Sequence, residues 1–321
     1  MDSLKLAEEI IDGRILSYND NLNAFIDTEL NELLQGADMI RKHFVGDNVD
    51  LCTIINGRSG LCGENCKFCA QSRHHHTTCE VYELLDSETI INEALSNEAE
   101  GVDRFAIVTS GHSPSNSDFE KIVNIYKELR ARCKFDLCTS LGFLSLEQFK
   151  KLRDAGVTSY HNNIETSRRF FPEICTSHTF DDKIANIKRA QEAGLNVCSG
   201  GIIGMGESWE DRIDMAFTLQ ELGINSIPIN SLMPIPGTPL EGLPRLSEED
   251  ILRTIAIFRY INPKADIRLA GGRALMKENG REAFCSGASA SITGNMLTTC
   301  GSTIKMDMEM LASLGRRKKI L

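Results

Sequence analysis

The chain has 321 residues, a formal net charge of −10, 41% hydrophobic residues and 25% charged residues. This acidic balance offers no basic surface to a phosphate backbone, so we expect no nucleic-acid partner. No apolar run reaches the roughly 18 residues that a membrane-spanning helix needs, so we predict no membrane span. Residues 1–11 are amphipathic and carry acidic side chains, unlike a secretory signal, and we expect a cytoplasmic protein.

Residues 1–49 form a predicted helical extension, because apolar residues such as Leu30, Leu33 and Leu34 recur at helical spacing. Eight short β-rich runs follow, at 50–56, 104–109, 136–141, 159–164, 196–202, 226–231, 266–269 and 288–293. Helical segments alternate with these runs, with predicted N-caps at Ser117, Ser145, Ser208 and Ser247. The alternation predicts an α/β fold, a (β/α)8 TIM-type barrel over residues 50–321 with a solvated C-terminal tail at 316–319.

Three of the eleven cysteines, Cys62, Cys66 and Cys69, are spaced C-x3-C-x2-C directly after the first predicted strand. In a cytoplasmic protein, cysteines in this number favour metal or redox chemistry over disulfides. Three thiolates on one short loop suit an iron-sulfur cube and leave one of its irons without a protein ligand. The alternative is a structural zinc site whose fourth ligand comes from the histidines at 74–76.

Other chemically unusual residues gather in or just after the predicted strands, where a barrel of this type places its active site. They are 109–111, Cys138, 160–165, 198–201, Asn230 and Arg268. We therefore expect these side chains at one rim together with the cysteine loop. Cys52 and Cys133 are predicted to be small buried packing residues, since free cysteine packs readily in cores. Arg273 is predicted to form a surface ion pair.

The cysteine motif, with Phe68 before its last cysteine, and the predicted barrel resemble the radical S-adenosylmethionine enzymes. The resemblance implies a [4Fe-4S] cluster on the motif cysteines, S-adenosyl-L-methionine at the open iron, and a 5′-deoxyadenosyl radical formed by reductive cleavage. It also implies that residues 201–207 pack around the adenosyl group, with Gly204 and Glu207 as cofactor contacts, and that Glu165 lies near the cofactor ribose. An external donor such as flavodoxin or ferredoxin would supply the electron.

Longer stretches resemble the biotin synthase family and extend from about residue 50 to the C-terminal region. They are 63–72, 197–202, 227–234, 237–240 and 267–273. The resemblance implies that a homodimer inserts sulfur into dethiobiotin to give biotin, with an auxiliary iron-sulfur cluster as the sulfur donor. Cys138 and Cys198 match auxiliary-cluster cysteines of the family, and Arg268 matches its arginine ligand. Asn163 and Asn230 match asparagines near the ureido ring of the substrate, a neutral group suited to amides.

Two positions depart from the pattern of that family. Ala106 stands where the family has a cysteine, so another ligand must complete the auxiliary site, and Cys79 is the leading candidate. The reserve candidates are Cys175, Cys285 and Cys300. The auxiliary cluster is then either the [2Fe-2S] form or a four-iron variant. His161 replaces a family asparagine beside the substrate and becomes a candidate substrate contact. The predicted catalytic residues are Cys62, Cys66, Cys69, Cys138 and Cys198.

Two other interpretations of the sequence remain open. A related barrel enzyme, resembling a hydrogenase maturase or a methylornithine synthase, would share the first cluster without sulfur insertion. Cys138, Cys198 and the segment around Asn230 favour sulfur insertion over this alternative, because a rearrangement has no use for them. A zinc-stabilised barrel without enzymatic activity is the second alternative. It would be colourless when purified without oxygen, whereas a cluster protein is brown.

Overall fold

A computed structural model of the protein describes residues 2–20, 22, 24–294 and 302–318. Cys300, one of the reserve ligand candidates, lies outside the described residues. Within those residues, none of the helices has both the length and the hydrophobicity that crossing a bilayer requires.

Strands and helices alternate along the chain after a short helical start. The strands are β1 (Asn48–Arg58), β2 (Arg104–Thr109), β3 (Asp136–Ser140), β4 (Ser159–His161), β5 (Asn196–Cys198), β6 (Gly201–Ile203), β7 (Ser226–Ser231), β8 (Asp266–Leu269), β9 (Ala290–Ile292) and β10 (Arg317–Lys318). The α-helices are α1 (Ser3–Ile11), α2 (Ala24–Asp27), α3 (Leu30–Phe44), α4 (Ser87–Glu100), α5 (Asn116–Arg132), α6 (Leu146–Asp154), α7 (Phe171–Ile174), α8 (Phe180–Glu192), α9 (Trp209–Glu221), α10 (Glu248–Ile261), α11 (Arg281–Phe284) and α12 (Ile304–Ser313).

The sheet closes into a parallel barrel, because β1 pairs in parallel with both β2 and β9. β5 and β6 together fill the fifth position, so that β1 to β9 occupy eight positions. The predicted (β/α)8 barrel is therefore confirmed. Helices cover the outside, where residues such as Phe105 and Ile107 of β2 are fully buried. Tyr126 of α5 accepts a hydrogen bond from the Ile107 amide at 3.2 Å and donates one to the Cys138 carbonyl at 2.7 Å, which fixes that helix on the sheet.

The fifth predicted strand is not continuous. It breaks at Ser199 and Gly200, between β5 and β6. At Gly200 the chain passes so close to β7 that an added Cβ would lie 1.9 Å from the Pro228 carbonyl oxygen. The break brings the backbone of Glu165 against β6, where the Ile202 amide donates to the Glu165 carbonyl at 2.8 Å. This irregularity places Glu165 at the rim of the barrel interior.

Most of the barrel helices have an N-cap residue whose side chain accepts a hydrogen bond from the first turn. Ser145, Ser208 and Ser247 each accept a hydrogen bond from the amide three residues later, as predicted. The prediction of Ser117 was wrong, because the cap of α5 is Ser115, which accepts from the Asp118 amide. Both serines precede an acidic residue at the capping distance, so the local pattern does not distinguish them.

The amino-terminal helices pack on one flank of the barrel. The Tyr260 hydroxyl of α10 donates to the Ser3 carbonyl at 2.9 Å. Gly36 of α3 permits this contact, since a Cβ there would lie 1.8 Å from the Tyr260 hydroxyl oxygen. The division of the chain into an extension at 1–49 and a barrel at 50–321 stays a prediction.

The carboxyl-terminal segment is part of the folded unit, and the predicted solvated tail was wrong for Arg316, whereas Arg317–Lys318 are exposed although they form β10. Arg316 is 7% exposed and its guanidinium contacts the Phe284 carbonyl, while β10 pairs with the start of β1. The predicted surface position of Arg273 was also wrong. Its guanidinium is buried and forms two 2.8 Å hydrogen bonds to the carboxylate of Asp307 in α12. A buried bidentate pair of this kind fixes α12 against the end of β8.

Candidate active site

The cysteine motif lies on a loop that leaves the carboxyl end of β1 and folds back on itself. Gly60 starts it with a φ of +77°, and a Cβ there would lie 2.7 Å from a methyl carbon of Val81, so only glycine fits without a shift. The Cys62 amide donates to the Gln71 carbonyl at 2.9 Å, and the Cys62 carbonyl accepts from the Arg73 amide at 2.9 Å. These bonds hold the motif in a compact loop at the barrel rim.

The three motif thiols do not by themselves form a ready-made site for one ion, although Cys66 has its sulfur within 4.8 Å of ligand atoms of Cys175 and His178. In the described part of the chain, Cys62, Cys66 and Cys69 do not converge within the 4.8 Å expected of ligands to one ion. His74 and His75 lie near the loop, but their ring nitrogens are 3.0 and 2.9 Å from the carbonyl oxygens of Gly63 and Cys69. The predicted alternative, a zinc ion held by the motif and the triple histidine, therefore has no preformed ligand set among these residues.

A polar network that the sequence did not predict supports this loop. The sulfur of Cys175 lies 3.7 Å from that of Cys66, and a ring nitrogen of His178 lies 3.5 Å from Cys175. Glu64, inside the motif, pairs with His178 and with His112. Burial alone would raise the pKa of Glu64, but hydrogen bonds from Ser177 and the two histidines lower it to about 2. Cys175 thus lies beside the first cysteine motif and not in the predicted auxiliary site.

A cavity of about 350 Å³ occupies the barrel interior. At the rim it is lined by Phe68 and Cys69 of the motif and by Glu165. Deeper in the barrel its wall is formed by residues of the strands and of the segment that follows β4. These include Cys52, Ile54, Arg104, Ala106, Val108, Cys138, His161, Asn163, Cys198, Ile202, Ser226, Asn230 and Arg268. The structure therefore brings the predicted residues Cys138, Cys198 and Arg268 together with the motif around one space.

Cys52 joins this group: it is buried, as predicted, and it also lines the cavity. It faces the cavity from β1 and contacts Ala106 and Cys138. Counted around the barrel, Cys52, Cys138, Cys198 and Arg268 lie on the first, third, fifth and seventh positions. Barrels of this fold fill their interior with layers of four side chains from alternate strands. Three thiols and one guanidinium form such a layer here.

Asp50 and Arg104 control the charges beside this layer, and neither was predicted. Asp50 is 2% exposed and pairs with both Arg268 and Arg104. Burial raises the pKa of Cys52 to about 12 and raises that of Cys138 as well. Burial also raises the pKa of Cys198, but a hydrogen bond from His161 and the charge of Arg268 outweigh burial and bring this pKa below the ordinary value. Cys198 therefore loses its proton most readily of the three.

The other cysteines lie elsewhere. Cys79 is absent from the cavity wall, and its sulfur lies 3.5 Å from the Ser59 hydroxyl. Cys285 follows α11, and the charges of Glu282 and Asp38 help burial to raise the pKa of its thiol. Cys133 is 3% exposed within the hydrophobic core, which confirms its predicted packing role.

The predicted substrate contacts line the cavity, but backbone groups already engage two of them. The Asn163 side-chain oxygen accepts from the Gly200 amide at 3.0 Å. Asn230 donates to the Gly201 carbonyl at 3.1 Å and accepts from the Gly271 amide at 2.9 Å, so it ties β7 to β6 and to the segment that follows β8. Among the predicted substrate contacts, His161 has its ring next to the Cys198 thiol.

The predicted cofactor contacts separate into two kinds. Glu165 has a φ of +70°, and its Oε2 atom is buried without a hydrogen-bond partner in the described structure. Lys183 lies 3.9 Å from the other carboxylate oxygen. The carboxylate of Glu207 is instead satisfied inside its own turn, where it accepts from the Gly204 amide at 2.8 Å and from the Arg212 guanidinium at 2.7 Å. Glu165 thus offers an acceptor to a ligand, whereas Glu207 shapes the turn that carries Gly204.

Comparison of the chain with solved structures shows the same fold in two other enzymes. Methylornithine synthase superposes with a TM-score of 0.85 at 20% identity, covering 98% of this chain and 97% of the other. A maturase of the [FeFe]-hydrogenase superposes with a TM-score of 0.81 at 20% identity, covering 98% of this chain and 74% of the other. At these identities the likeness concerns the fold alone.

Sequence comparison is more specific. Residues 56–219 match the Radical SAM superfamily, and residues 228–317 match the Biotin and Thiamin Synthesis associated domain. A biotin synthase of Clostridium beijerinckii is 59% identical over 97% of this chain and 98% of its own length. One from Alkaliphilus metalliredigens is 55% identical over 98% and 99% of the two chains. The chain therefore belongs to the biotin synthase family of radical S-adenosylmethionine enzymes.

Proposed function

We propose that the protein inserts a sulfur atom into dethiobiotin to form biotin, using an auxiliary iron-sulfur cluster as the sulfur donor. One observation carries the proposal: a single cavity is lined by Cys69 of the radical motif and by Cys52, Cys138 and Cys198 deeper in the barrel. A substrate radical formed in this cavity would lie close to a sulfur source and apart from bulk water. The relatives at 59% and 55% identity, both named biotin synthase, support the same activity.

Cys62, Cys66 and Cys69 would hold a [4Fe-4S] cluster, which when bound supplies the electron that cleaves S-adenosyl-L-methionine to a 5′-deoxyadenosyl radical. Phe68 and Glu165 line the space beside these cysteines. The unpartnered oxygen of Glu165 would accept a hydrogen bond from a cofactor hydroxyl, because a buried carboxylate oxygen without a donor is costly. Direct contact of Gly204 and Glu207 with the cofactor stays a prediction.

We propose that Cys52 replaces the cysteine missing at Ala106. These two residues contact each other on neighbouring strands, so a thiol at either position reaches the same space. Cys52, Cys138, Cys198 and Arg268 would then hold the auxiliary cluster, either [2Fe-2S] or a four-iron variant. Asp50 would keep the guanidinium of Arg268 in place through their buried ion pair. The predicted roles of Cys79 and Cys285 in this cluster receive no support from their positions.

The space between the two cysteine sets suits dethiobiotin. Apolar side chains of Ile54, Val108 and Ile202 would contact its hydrocarbon chain. His161 and Asn163 would contact the ureido ring, whose carbonyl and N–H groups need both donors and acceptors. Asn230 would act on the substrate mainly by fixing the wall of the cavity, given its two backbone hydrogen bonds.

The test is anaerobic incubation of the reconstituted protein with dethiobiotin, S-adenosyl-L-methionine and a reductant, followed by mass spectrometry. We expect biotin together with about two equivalents of 5′-deoxyadenosine, one for each C–H bond that is broken. Cofactor cleavage without biotin would contradict sulfur insertion and favour a related barrel enzyme. A colourless protein without iron after anaerobic purification would contradict both. The cytoplasmic location, the flavodoxin or ferredoxin donor and the homodimer remain predictions.

A further inference from the structure

A second cavity, of about 400 Å³, opens at the opposite end of the barrel. The first residues of six strands line it, namely Arg104, Asp136, Ser159, Asn196, Ser226 and Asp266. This amino-terminal mouth is polar, in contrast to the mainly apolar packing that normally fills the barrel end away from the active site. An active site at the carboxyl ends of the strands does not require an opening at the amino ends.

The two cavities share part of their walls. Arg104, Cys198 and Ser226 line both of them, and the Ser226 hydroxyl donates to the Cys198 sulfur at 3.3 Å. A small solute in the amino-terminal mouth therefore contacts side chains that also face the proposed auxiliary site. The radical motif and the substrate space lie on the other side of Cys198.

We propose that the amino-terminal mouth is the access route by which inorganic sulfide, as H₂S or HS⁻, reaches the auxiliary site to replace the sulfur lost in each reaction. The inference rests on the proposed function, which consumes one sulfur from the protein for every product. During that reaction the cofactor and the substrate occupy the opposite opening. A second opening lets sulfur return without their release.

The charges of the mouth fit this ligand. Asp136 and Asp266 lie at the outer ends of strands, and they would not repel neutral H₂S. Further in, Arg104 has its Nε atom buried without a hydrogen-bond partner in the described structure, and Arg268 lies beyond it. Asp50 pairs with both guanidinium groups, so the inner end of the mouth holds two cations against one anion and favours HS⁻ over H₂S there. On entering the auxiliary site, sulfide would release its protons to solvent and keep its oxidation level, so its uptake would require no oxidant or reductant.

The test obstructs the mouth without touching the shared wall. Asn225→Trp places a large side chain at the edge of the mouth, where Asn225 is exposed. Asn225→Ala leaves the opening free, and Asn48→Trp is the matched control, because Asn48 is exposed at the start of β1 and does not line the mouth. Holoenzyme is taken through one turnover and then given ³⁵S-sulfide and ferrous iron with the cofactor and dethiobiotin present. Protein-bound ³⁵S is counted over time after gel filtration.

We expect equal biotin yields in the first turnover for all variants, since that sulfur is already bound. Uptake of ³⁵S should be about tenfold slower in Asn225→Trp and unchanged in Asn225→Ala and Asn48→Trp. Asn196→Trp, a second obstruction, should behave like Asn225→Trp if the latter misfolds. Uptake at the wild-type rate in both obstructed variants would overturn the inference. Absence of biotin in the wild-type first turnover would instead overturn the proposed function, and the ³⁵S uptake would still report on the mouth.

Discussion

The sulfur atoms of Cys66 and Cys175 lie 3.7 Å apart, which places a thiol from a distant segment beside a proposed cluster ligand. With iron bound, Cys66 is a thiolate and can only accept, so Cys175 would donate the hydrogen bond. Such bonds to cluster sulfurs stabilise the reduced state. We expect Cys175→Ala to shift the midpoint potential of the [4Fe-4S] cluster to more negative values in an EPR-monitored redox titration.

Cys175→Ser is the matched variant, because its hydroxyl keeps a donor and should give a smaller shift. Loss of iron from the radical cluster in Cys175→Ala would contradict this prediction, since it would make Cys175 a ligand.

Replacement of Cys52 tests the auxiliary site. We expect Cys52→Ala to lose the Mössbauer signal of the auxiliary cluster and to lower biotin formation by more than about 100-fold, because the layer then lacks one ligand. The radical cluster should remain. Cys79→Ala and Cys133→Ala serve as controls, because each makes the same substitution of a cysteine that does not line the cavity. An auxiliary cluster that persists in Cys52→Ala and disappears in Cys79→Ala would restore the prediction made from the sequence.

The two cysteine sets should separate radical formation from sulfur transfer. Cys62→Ala is expected to abolish cleavage of S-adenosyl-L-methionine, since the radical cluster needs all three motif thiolates. Cys198→Ala should retain part of that cleavage and form no biotin. Chromatography of 5′-deoxyadenosine and biotin from the same reactions measures both. Biotin from the Cys198 variant would refute its assignment to the auxiliary site.

The buried pair of Arg273 and Asp307 should matter for stability. Asp307→Ala leaves the guanidinium without its partner, and we expect a loss of about 3–5 kcal/mol in the free energy of unfolding. Lys151→Ala breaks an exposed pair with Glu120, at 2.6 Å with both side chains more than half exposed, and should cost no more than about 1 kcal/mol. Urea unfolding followed by circular dichroism compares the two, and equal losses would contradict the argument from burial.

Asp103 should make stability depend on pH. Burial raises the pKa of its carboxyl from 3.8 to about 6, and its Oδ1 atom is buried without a hydrogen-bond partner in the described structure. The folded state therefore holds this proton more tightly than the unfolded state. Its contribution to stability is greatest below the unfolded pKa and is lost as the pH rises to about 6.

Asp103→Asn removes this titration while its side-chain oxygen can still accept from the Leu51 amide, a bond of 2.8 Å in the wild type. We expect the stability of the wild type, relative to this variant, to fall between about pH 4 and pH 7. Urea titrations across that range measure the difference. A difference that is constant with pH would show that the Asp103 carboxyl has an ordinary pKa.

The barrel could be predicted because its signals are local. Each strand is a short β-rich run, and caps such as Ser145 and Ser208 mark where helices begin within a few residues. Local patterns failed where two alternatives matched equally well, as with Ser115 and Ser117. Local patterns also failed at Gly200. The strand breaks there because the backbone passes close to Pro228 of β7, and α9 separates the two residues in sequence.

The ligand sets show the same limit. Closeness to the motif in sequence favours Cys79 as a ligand and gives no weight to Cys52, although Asp50, Cys52 and Ile54 alternate along one face of β1. That period of two marks residues with a common orientation and was a usable signal. Whether the face points into the barrel depends on pairing with β2 and β9. The contact between Cys66 and Cys175 spans 109 residues and has no local signal.

A barrel of this fold usually stabilises itself by filling its interior with branched apolar side chains. In this protein one complete layer consists of Cys52, Cys138, Cys198 and Arg268, around a cavity of about 350 Å³. With the proposed auxiliary cluster bound, the cofactor and not the chain would fill this part of the barrel. Each loss of sulfur or iron from that cluster would remove packing from the centre of the fold, so repair of the site and maintenance of the folded barrel would be the same process.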